Sequence, residues 1–143
     1  MFIGWVLLFA LASALEHLSS RPFIATLAGR TLAYLLNARP LAPHLYEVDA
    51  LPAFGFSAVA QTWGETILVV RGHQTPHLLA HEAVHTEQFR RTTSLGFWLL
   101  YLWQWLVGLV RTRNLYKAYR EMGLEREARR ESVRYLGCLE EDT

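Results

Sequence analysis

The chain carries the stretch His81-Glu82-Ala83-Val84-His85, which has the pattern H-E-x-x-H. On a helix, residues four positions apart lie on one face about 6 Å from each other, so two imidazoles can bind one metal ion while the intervening carboxylate reaches a water on that ion. Given the content of His and Glu in this chain, such a motif is expected by chance only about 0.02 times. Two histidines leave a zinc site incomplete, so a third protein ligand must lie elsewhere in the sequence.

Length and charge limit the classes of protein that the sequence fits. A chain of 143 residues corresponds to one domain. The net charge is +1 and the 14 Lys and Arg residues do not form one stripe, so nucleic acid is not expected as a partner. Cys138 is the only cysteine, which excludes an internal disulfide.

Two apolar segments, residues 2–15 and 94–110, carry most of the hydrophobic excess of the chain. The first has the length of a signal-peptide apolar region, with small residues at Ala12-Ser13-Ala14, but no Lys or Arg precedes it. Residues 1–20 are therefore predicted to form an apolar N-terminal helix. A helix packed on the domain, a membrane anchor and a removed signal all stay open for it.

The second apolar segment would span about 25 Å as a helix, less than the hydrocarbon core of a bilayer. If it crossed a membrane once, any ligand downstream would lie on the opposite side from His81 and His85. If the third ligand lies downstream, residues 94–110 should therefore form a helix that is buried or lies at a membrane interface. Residues 2–15 and 94–110 are the candidate membrane contacts, and a cytoplasmic and a membrane-associated location both stay open.

Upstream of the motif, the periodicity changes from helical to strand-like. Residues 21–36 have helical apolar spacing, and the prolines at 40, 43 and 52 indicate an irregular connection after them. Residues 56–61 and 65–70 are β-rich runs joined through Thr62-Trp63-Gly64, which predicts a hairpin.

The helix that carries the motif has a clear start and a clear end in the sequence. Thr75 is a good N-cap and Pro76 suits the first helical position. The helix should run to about Arg91, before Thr92-Thr93-Ser94 break it.

The third ligand should be an acid or a histidine on another element. His77 lies one further turn along the motif helix, about 6 Å farther up its axis, which is too far from a metal bound by the other two. The other upstream histidines have no helical partner motif; they are His17, His44 and His73.

The C-terminal residues 123–136 predict a charged helix with three candidate acids, Glu125, Glu127 and Glu131. One arc of about 120° must be its packed face; it holds Leu124, Ala128, Ser132, Tyr135 and Leu136. Glu125 lies inside this arc, Glu131 at its border and Glu127 about 60° beyond it. A buried acid is costly unless a cation neutralises it, which favours Glu125 as ligand with Glu127 as the alternative. Ion pairs with neighbouring arginines would explain both acids without a metal.

The stretch His81-Glu-Ala-Val-His-Thr-Glu-Gln88, the aromatic-rich segment after it and Tyr119-Arg-Glu-Met-Gly-Leu-Glu-Arg-Glu-Ala128 together resemble small bacterial zincin-like proteins of the gluzincin type. In that family a Glu on a later helix completes H-E-x-x-H. The resemblance covers about residues 55–136. It implies a mainly helical α+β fold, with a minimal zincin-like metal-binding domain over residues 21–143, a small hairpin before the motif helix and a Glu-bearing helix after it.

The resemblance also bears on the choice between the two acids. Membrane-linked gluzincin peptidases commonly place the metal Glu three positions before a small residue, which selects Glu125 before Ala128. Arg129 stands where that type usually has Asp. Thermolysin-like members place Ala directly after the ligand, which would select Glu127.

The implied function is zinc-dependent hydrolysis of peptide bonds in a peptide or protein substrate. Zn²⁺ bound by His81, His85 and Glu125 would activate a water, with Glu82 as general base. Gln88 would either orient a ligand or lie on the helix surface. Candidate donors to the oxyanion are His73, His77, Tyr116 and Tyr119.

An extended substrate is expected to pair with a free edge of the strand over residues 66–70. Two other functions stay open. One is a non-catalytic domain that zinc stabilises, and the other is a membrane-associated interaction module whose Trp-rich helix is the working surface.

Overall fold

In the computed structural model of the protein, residues 2–52 and 57–141 are described, with side chains described for residues 3–52 and 57–137. Two helices are followed by four short strands and then by three helices, which confirms the predicted mainly helical α+β class. The elements in chain order are α1 Phe2–Ser19, α2 Phe23–Leu35, β1 Arg39–Ala42, β2 Leu45–Val48, β3 Ala60–Trp63, β4 Thr66–Val70, α3 Pro76–Thr112, α4 Leu115–Glu121 and α5 Gly123–Glu141.

The four strands form one sheet in the order β1-β2-β4-β3. β3 and β4 pair antiparallel, so the predicted hairpin is confirmed, although Phe56 of its first run lies outside the described residues. Gly64 closes this hairpin with a φ of 65°, a conformation that favours glycine. β2 lies parallel to β4 on its other side.

Two predictions about this region are wrong. The irregular connection expected around Pro40 and Pro43 instead holds β1 and β2, which pair antiparallel. Pro40 is tolerated because β1 is an edge strand, where a missing N–H breaks no second ladder. The strand Thr66–Val70 also has no free edge, because it is β4 and lies between β2 and β3; the free edge beside the motif helix belongs to β3.

α3 begins as predicted. Thr75 caps it by accepting a hydrogen bond from the backbone N–H of Leu78, and Pro76 is its first residue. The predicted break is confirmed at Thr93, which has φ 67° and ψ 169° inside the helix. We call residues 76–92 the motif half and residues 94–112 the aromatic half.

The aromatic half folds back along the motif half. In a straight helix, residues twelve positions apart are separated by about 18 Å. The ring centroids of His85 and Phe97 are only 6.2 Å apart, and Phe97 also stacks on Phe89 at 3.8 Å. The reversal at Thr93 therefore returns the chain to the level of the H-E-x-x-H motif.

Glu16 joins three helices at the reversal. Its buried carboxylate accepts hydrogen bonds from the backbone N–H of Ile24 at 2.6 Å and from the N–H and hydroxyl of Ser94, both at 2.7 Å. These are the first turns of α2 and of the aromatic half, where a negative charge is favourable. α1 therefore packs on the domain near Glu16, whereas residues 3–11 of α1 are all exposed.

By length and composition, the described residues contain one helix that could cross a membrane, α3. They contain up to two if α1 from Ile3 and α2 count as one span despite the 104° bend between them. Because α3 reverses direction at Thr93, its 37 residues do not form one straight rod.

Replacing Gly29 by alanine is expected to destabilise the fold, because the added Cβ would lie 2.5 Å from the Cβ of Trp63 and 2.9 Å from that of Thr66. Relieving this overlap should cost about 1–3 kcal/mol in the free energy of unfolding, measured by urea denaturation. Gly137→Ala is the control, since open space surrounds that position in α5 and alanine favours a helix. Equal denaturation midpoints for the two variants would show that α2 and the hairpin are not packed this closely.

Candidate metal centre

His81, His85 and Glu125 form a cluster between the motif half of α3 and the first turn of α5. The two Nε2 atoms are 3.2 Å apart. Nε2 of His81 lies 3.3 Å from Oε2 of Glu125, and Nε2 of His85 lies 3.3 Å from Oε1. The three side chains therefore form a group that could hold a metal ion.

These separations fit a tetrahedral ion. Zn–N and Zn–O bonds of about 2.0–2.1 Å place neighbouring ligand atoms about 3.3–3.4 Å apart at the corners of a tetrahedron. The side chain of Glu125 is 2% exposed, and its Oε2, although 3.3 Å from Nε2 of His81, has no hydrogen-bond partner among the described residues. A buried carboxylate oxygen without a donor is costly, and a bound cation would compensate it.

The electrostatics of the cluster favour positive charge on His85. Burial alone would lower the pKa of His85, but the contact with Glu125 raises it to about 9. Burial alone would raise the pKa of Glu125, but the close imidazoles of His81 and His85 hold it below its ordinary value. A proton and a metal ion would therefore compete for the same nitrogen of His85.

Gln88 orients His85. Its amide nitrogen donates to the carbonyl oxygen of Leu124 at 3.0 Å and to Oε2 of Glu127 at 2.8 Å, which leaves its Oε1 as an acceptor. Nδ1 of His85, 2.8 Å from this oxygen, must therefore carry a proton. In the neutral imidazole the lone pair is then on Nε2, which faces His81 and Glu125 as a metal ligand requires. Gln88 is fully buried and is not a surface residue.

Glu127, the alternative ligand, faces away from the cluster. Its two oxygens accept hydrogen bonds from Gln88 and, at 2.9 Å, from Arg91. Burial alone would raise the pKa of Glu127, but Arg91 and Gln88 lower it. Glu131 pairs with Arg134. Among the described residues, the structure therefore brings only Glu125 of the three acids to the histidine pair.

The packed face predicted for the C-terminal helix is largely confirmed in α5. Leu124, Glu125, Ala128 and Ser132 are buried, whereas Tyr135 is exposed. The remaining predicted histidine candidates, His17, His44, His73 and His77, are not part of the cluster in the described part of the chain.

Glu82 projects into a cavity of about 390 Å³ next to the cluster. Its Oε2 accepts a hydrogen bond from the hydroxyl of Thr62 on β3 at 2.6 Å. His85 and Glu125 line the same cavity, so these two members of the cluster and the carboxylate of Glu82 face one space. The cavity walls are mainly aromatic, with Trp63, Phe97, Trp98, Tyr101, Trp105 and Tyr119.

Tyr101 and Tyr119 are the tyrosines at this site. The hydroxyl of Tyr101 donates to Oε1 of Glu125 at 3.0 Å. Burial and the negative charge of Glu125 raise the pKa of both phenols, so both can act as donors at neutral pH. Of the predicted oxyanion donors, only Tyr119 lines the cavity; His73, His77 and Tyr116 do not.

Tyr101 and Thr62 were missed by the sequence analysis. Tyr101 lies one turn after Phe97 in the aromatic half, and this spacing is the only local signal for it. Thr62 meets Glu82 through the contact between β3 and α3, which no local pattern indicates.

Comparisons with family models, with curated protein sequences and with solved structures find no match for this chain. The resemblance to gluzincin-type proteins therefore stays a prediction from sequence motifs. The geometry of the site shows that His81, His85 and Glu125 form a group that could hold a metal ion.

Metal content should distinguish the two candidate acids. Purified protein is expected to contain about one divalent ion per chain by elemental analysis, and His81→Ala and Glu125→Ala should lose it because each removes a ligand. Glu127→Ala is the matched control on the same helix and should retain the ion. Retention in Glu125→Ala with loss in Glu127→Ala would instead make Glu127 the ligand.

Proposed function

We propose that this protein is a zinc-dependent metallopeptidase that hydrolyses peptide bonds at the His81, His85 and Glu125 cluster. One observation carries the proposal: Glu82, the acid of the H-E-x-x-H motif, lines the same cavity as His85 and Glu125. A site that served only to stabilise the fold would need no further carboxylate beside it and no open space next to its ligands.

The donor set supports zinc as the ion. Two imidazoles and one carboxylate, with a fourth position facing a cavity, are the ligands that catalytic zinc sites use. When bound, zinc lowers the pKa of a water molecule toward neutrality and polarises a carbonyl group.

Glu82 is the proposed general base. Its hydrogen bond with Thr62 fixes one carboxylate oxygen and aims the group into the cavity. A carboxylate in this position can accept a proton from the attacking water and deliver it to the leaving amine. Tyr119, which also lines the cavity, is the proposed donor to the oxyanion.

The edge of the sheet offers a place for an extended peptide. Within the described residues β3 pairs with β4 alone, and Ala60, Gln61 and Thr62 of β3 line the cavity. A substrate that paired with this edge would extend the sheet and lie beside Glu82. This replaces the predicted edge of residues 66–70, which is covered on both sides.

Glu82→Gln is expected to keep the metal and lose hydrolysis by about 10²-fold or more, because the amide cannot accept the proton. Cleavage of a mixture of quenched fluorescent peptides and elemental analysis measure the two effects on the same samples. Unchanged turnover in Glu82→Gln would refute this mechanism. Wild-type protein that binds zinc tightly, loses its fold on chelation and cleaves no peptide would be a zinc-stabilised domain instead.

Thr62→Val tests how Glu82 is held. The variant keeps the shape of the side chain but removes the hydroxyl that donates to the carboxylate. We expect kcat to fall by about tenfold or more with KM and metal content little changed, because the hydrogen bond positions the base and contacts no ligand atom. Thr31→Val, the same change at an exposed position of α2 away from the cavity, is the control, and an equal loss in both variants would show that the fall does not come from Glu82.

A further inference from the structure

α1 is apolar on all its sides and almost unpacked. No charged residue occurs between positions 2 and 15, and every described side chain from Ile3 to Leu11 is exposed, with Trp5 at 64%. A globular partner would cover one face of such a helix, whereas an apolar phase covers the whole circumference. The occupant that fits this surface is the acyl region of a lipid bilayer.

A second apolar surface lies on the aromatic half of α3. Leu99, Trp103, Leu106 and Val110 follow one another at steps of four, three and four residues, which places them on one helix face. All four are exposed, Trp103 at 66% and Val110 at 80%. Both apolar surfaces start from the junction where Glu16 holds the backbone of Ser94.

Positive charge follows this apolar face directly. Arg111, Arg113 and Lys117 are exposed, and none of them has an ion pair among the described residues. A row of exposed apolar side chains followed by exposed basic side chains matches a membrane surface with anionic phosphate groups.

The geometry argues against a crossing of the bilayer. The apolar part of α1 measures about 21 Å, shorter than a hydrocarbon core of about 30 Å. The aromatic half cannot carry the chain to the other side, because Tyr101 within it contacts Glu125 downstream and Glu125 meets His85 upstream. The protein would therefore lie on one leaflet.

The cavity is continuous with the same surface. Leu102 lines the cavity and is half-exposed on the aromatic half, next to Trp103. A segment held at the membrane surface next to Leu102 would therefore lie close to the aromatic walls of the cavity.

We propose that the protein docks on the surface of an anionic lipid bilayer, with α1 inserted into the bilayer and the exposed apolar face of the aromatic half in contact with the bilayer surface. Its substrates are peptide segments with apolar side chains that are held at the same surface. The substrate assignment rests on the proposed function, whereas the docking does not depend on it.

Vesicle flotation of the full chain tests the docking. The protein should float with vesicles of phosphatidylcholine and phosphatidylglycerol, and more weakly with phosphatidylcholine alone or at high salt. Leu99→Glu with Trp103→Glu should reduce binding by about tenfold or more, because charge enters the apolar face. Val133→Glu is the matched control, since Val133 is equally exposed at 60% on α5 and should float as the wild type does.

The cationic end is tested separately. Arg111→Gln with Arg113→Gln should lower binding to the anionic vesicles by about tenfold and leave binding to phosphatidylcholine unchanged. Because all these side chains are exposed, metal content and circular dichroism should match the wild type in every variant. Wild-type protein that stays in the soluble fraction, or that forms a defined dimer and does not float, would overturn the proposal. Flotation that the Leu99 and Trp103 changes leave intact would overturn the role of the aromatic half.

Cleavage of one peptide in two forms separates this inference from the peptidase proposal. The peptide is supplied free in solution and attached to anionic vesicles by an acyl chain, and the attached form should be cleaved faster by the wild type but not by the Leu99 and Trp103 variant. Glu82→Gln should float normally. Protein that cleaves the free peptide but does not float would refute the docking alone, and protein that floats but cleaves neither form would refute the peptidase function alone.

Discussion

The burial of the Glu125 carboxylate against two imidazoles is the constraint on which the rest of the site depends. A charge in this position is costly unless it is matched, so α5 must start where His81 and His85 can meet it. The reversal at Thr93 turns the chain back along the motif half, and the short helix α4 connects the aromatic half to α5. Together they place the start of α5 beside the histidine pair. Tyr101 adds a donor to the same carboxylate from the aromatic half, so three helix segments meet at one group.

Gln88 connects the buried site to the ion pair of Glu127 and Arg91. Glu125 and Glu127 are two residues apart, which on a helix places them about 200° apart, so both cannot face the histidine pair. Glu125 faces inward, and Glu127 faces Gln88 and Arg91. The two acids therefore act on opposite sides of His85: Glu125 contacts its Nε2, and Glu127 holds the amide whose oxygen accepts the hydrogen bond from its Nδ1.

Local patterns predicted the parts of the molecule that local chemistry determines. Thr75-Pro76 marks the start of α3 and Gly64 the hairpin turn, and each depends on backbone preferences of a few neighbouring residues. The break was predicted from Thr92-Thr93-Ser94, but the φ of 67° at Thr93 is unfavourable for threonine, and the distant Glu16 holds Ser94 there. The position of Glu125 on the packed face of α5 was predicted from helical periodicity. β1 and β2 escaped prediction because four-residue strands show little alternation and Pro40 indicated a loop. Thr62 and Glu16 act through partners far away in sequence, which no periodicity reveals. Zinc and peptide hydrolysis stay predictions.

The reversal at Thr93 also bears on the order of folding. Phe89 and Phe97 meet across only eight positions, so the helical hairpin of α3 closes a short loop at little entropic cost. The two histidines lie on a single face of that hairpin, whereas their carboxylate partner comes from a segment about forty residues later. Loop closure therefore costs less entropy for the hairpin of α3 than for the contact between its two histidines and Glu125.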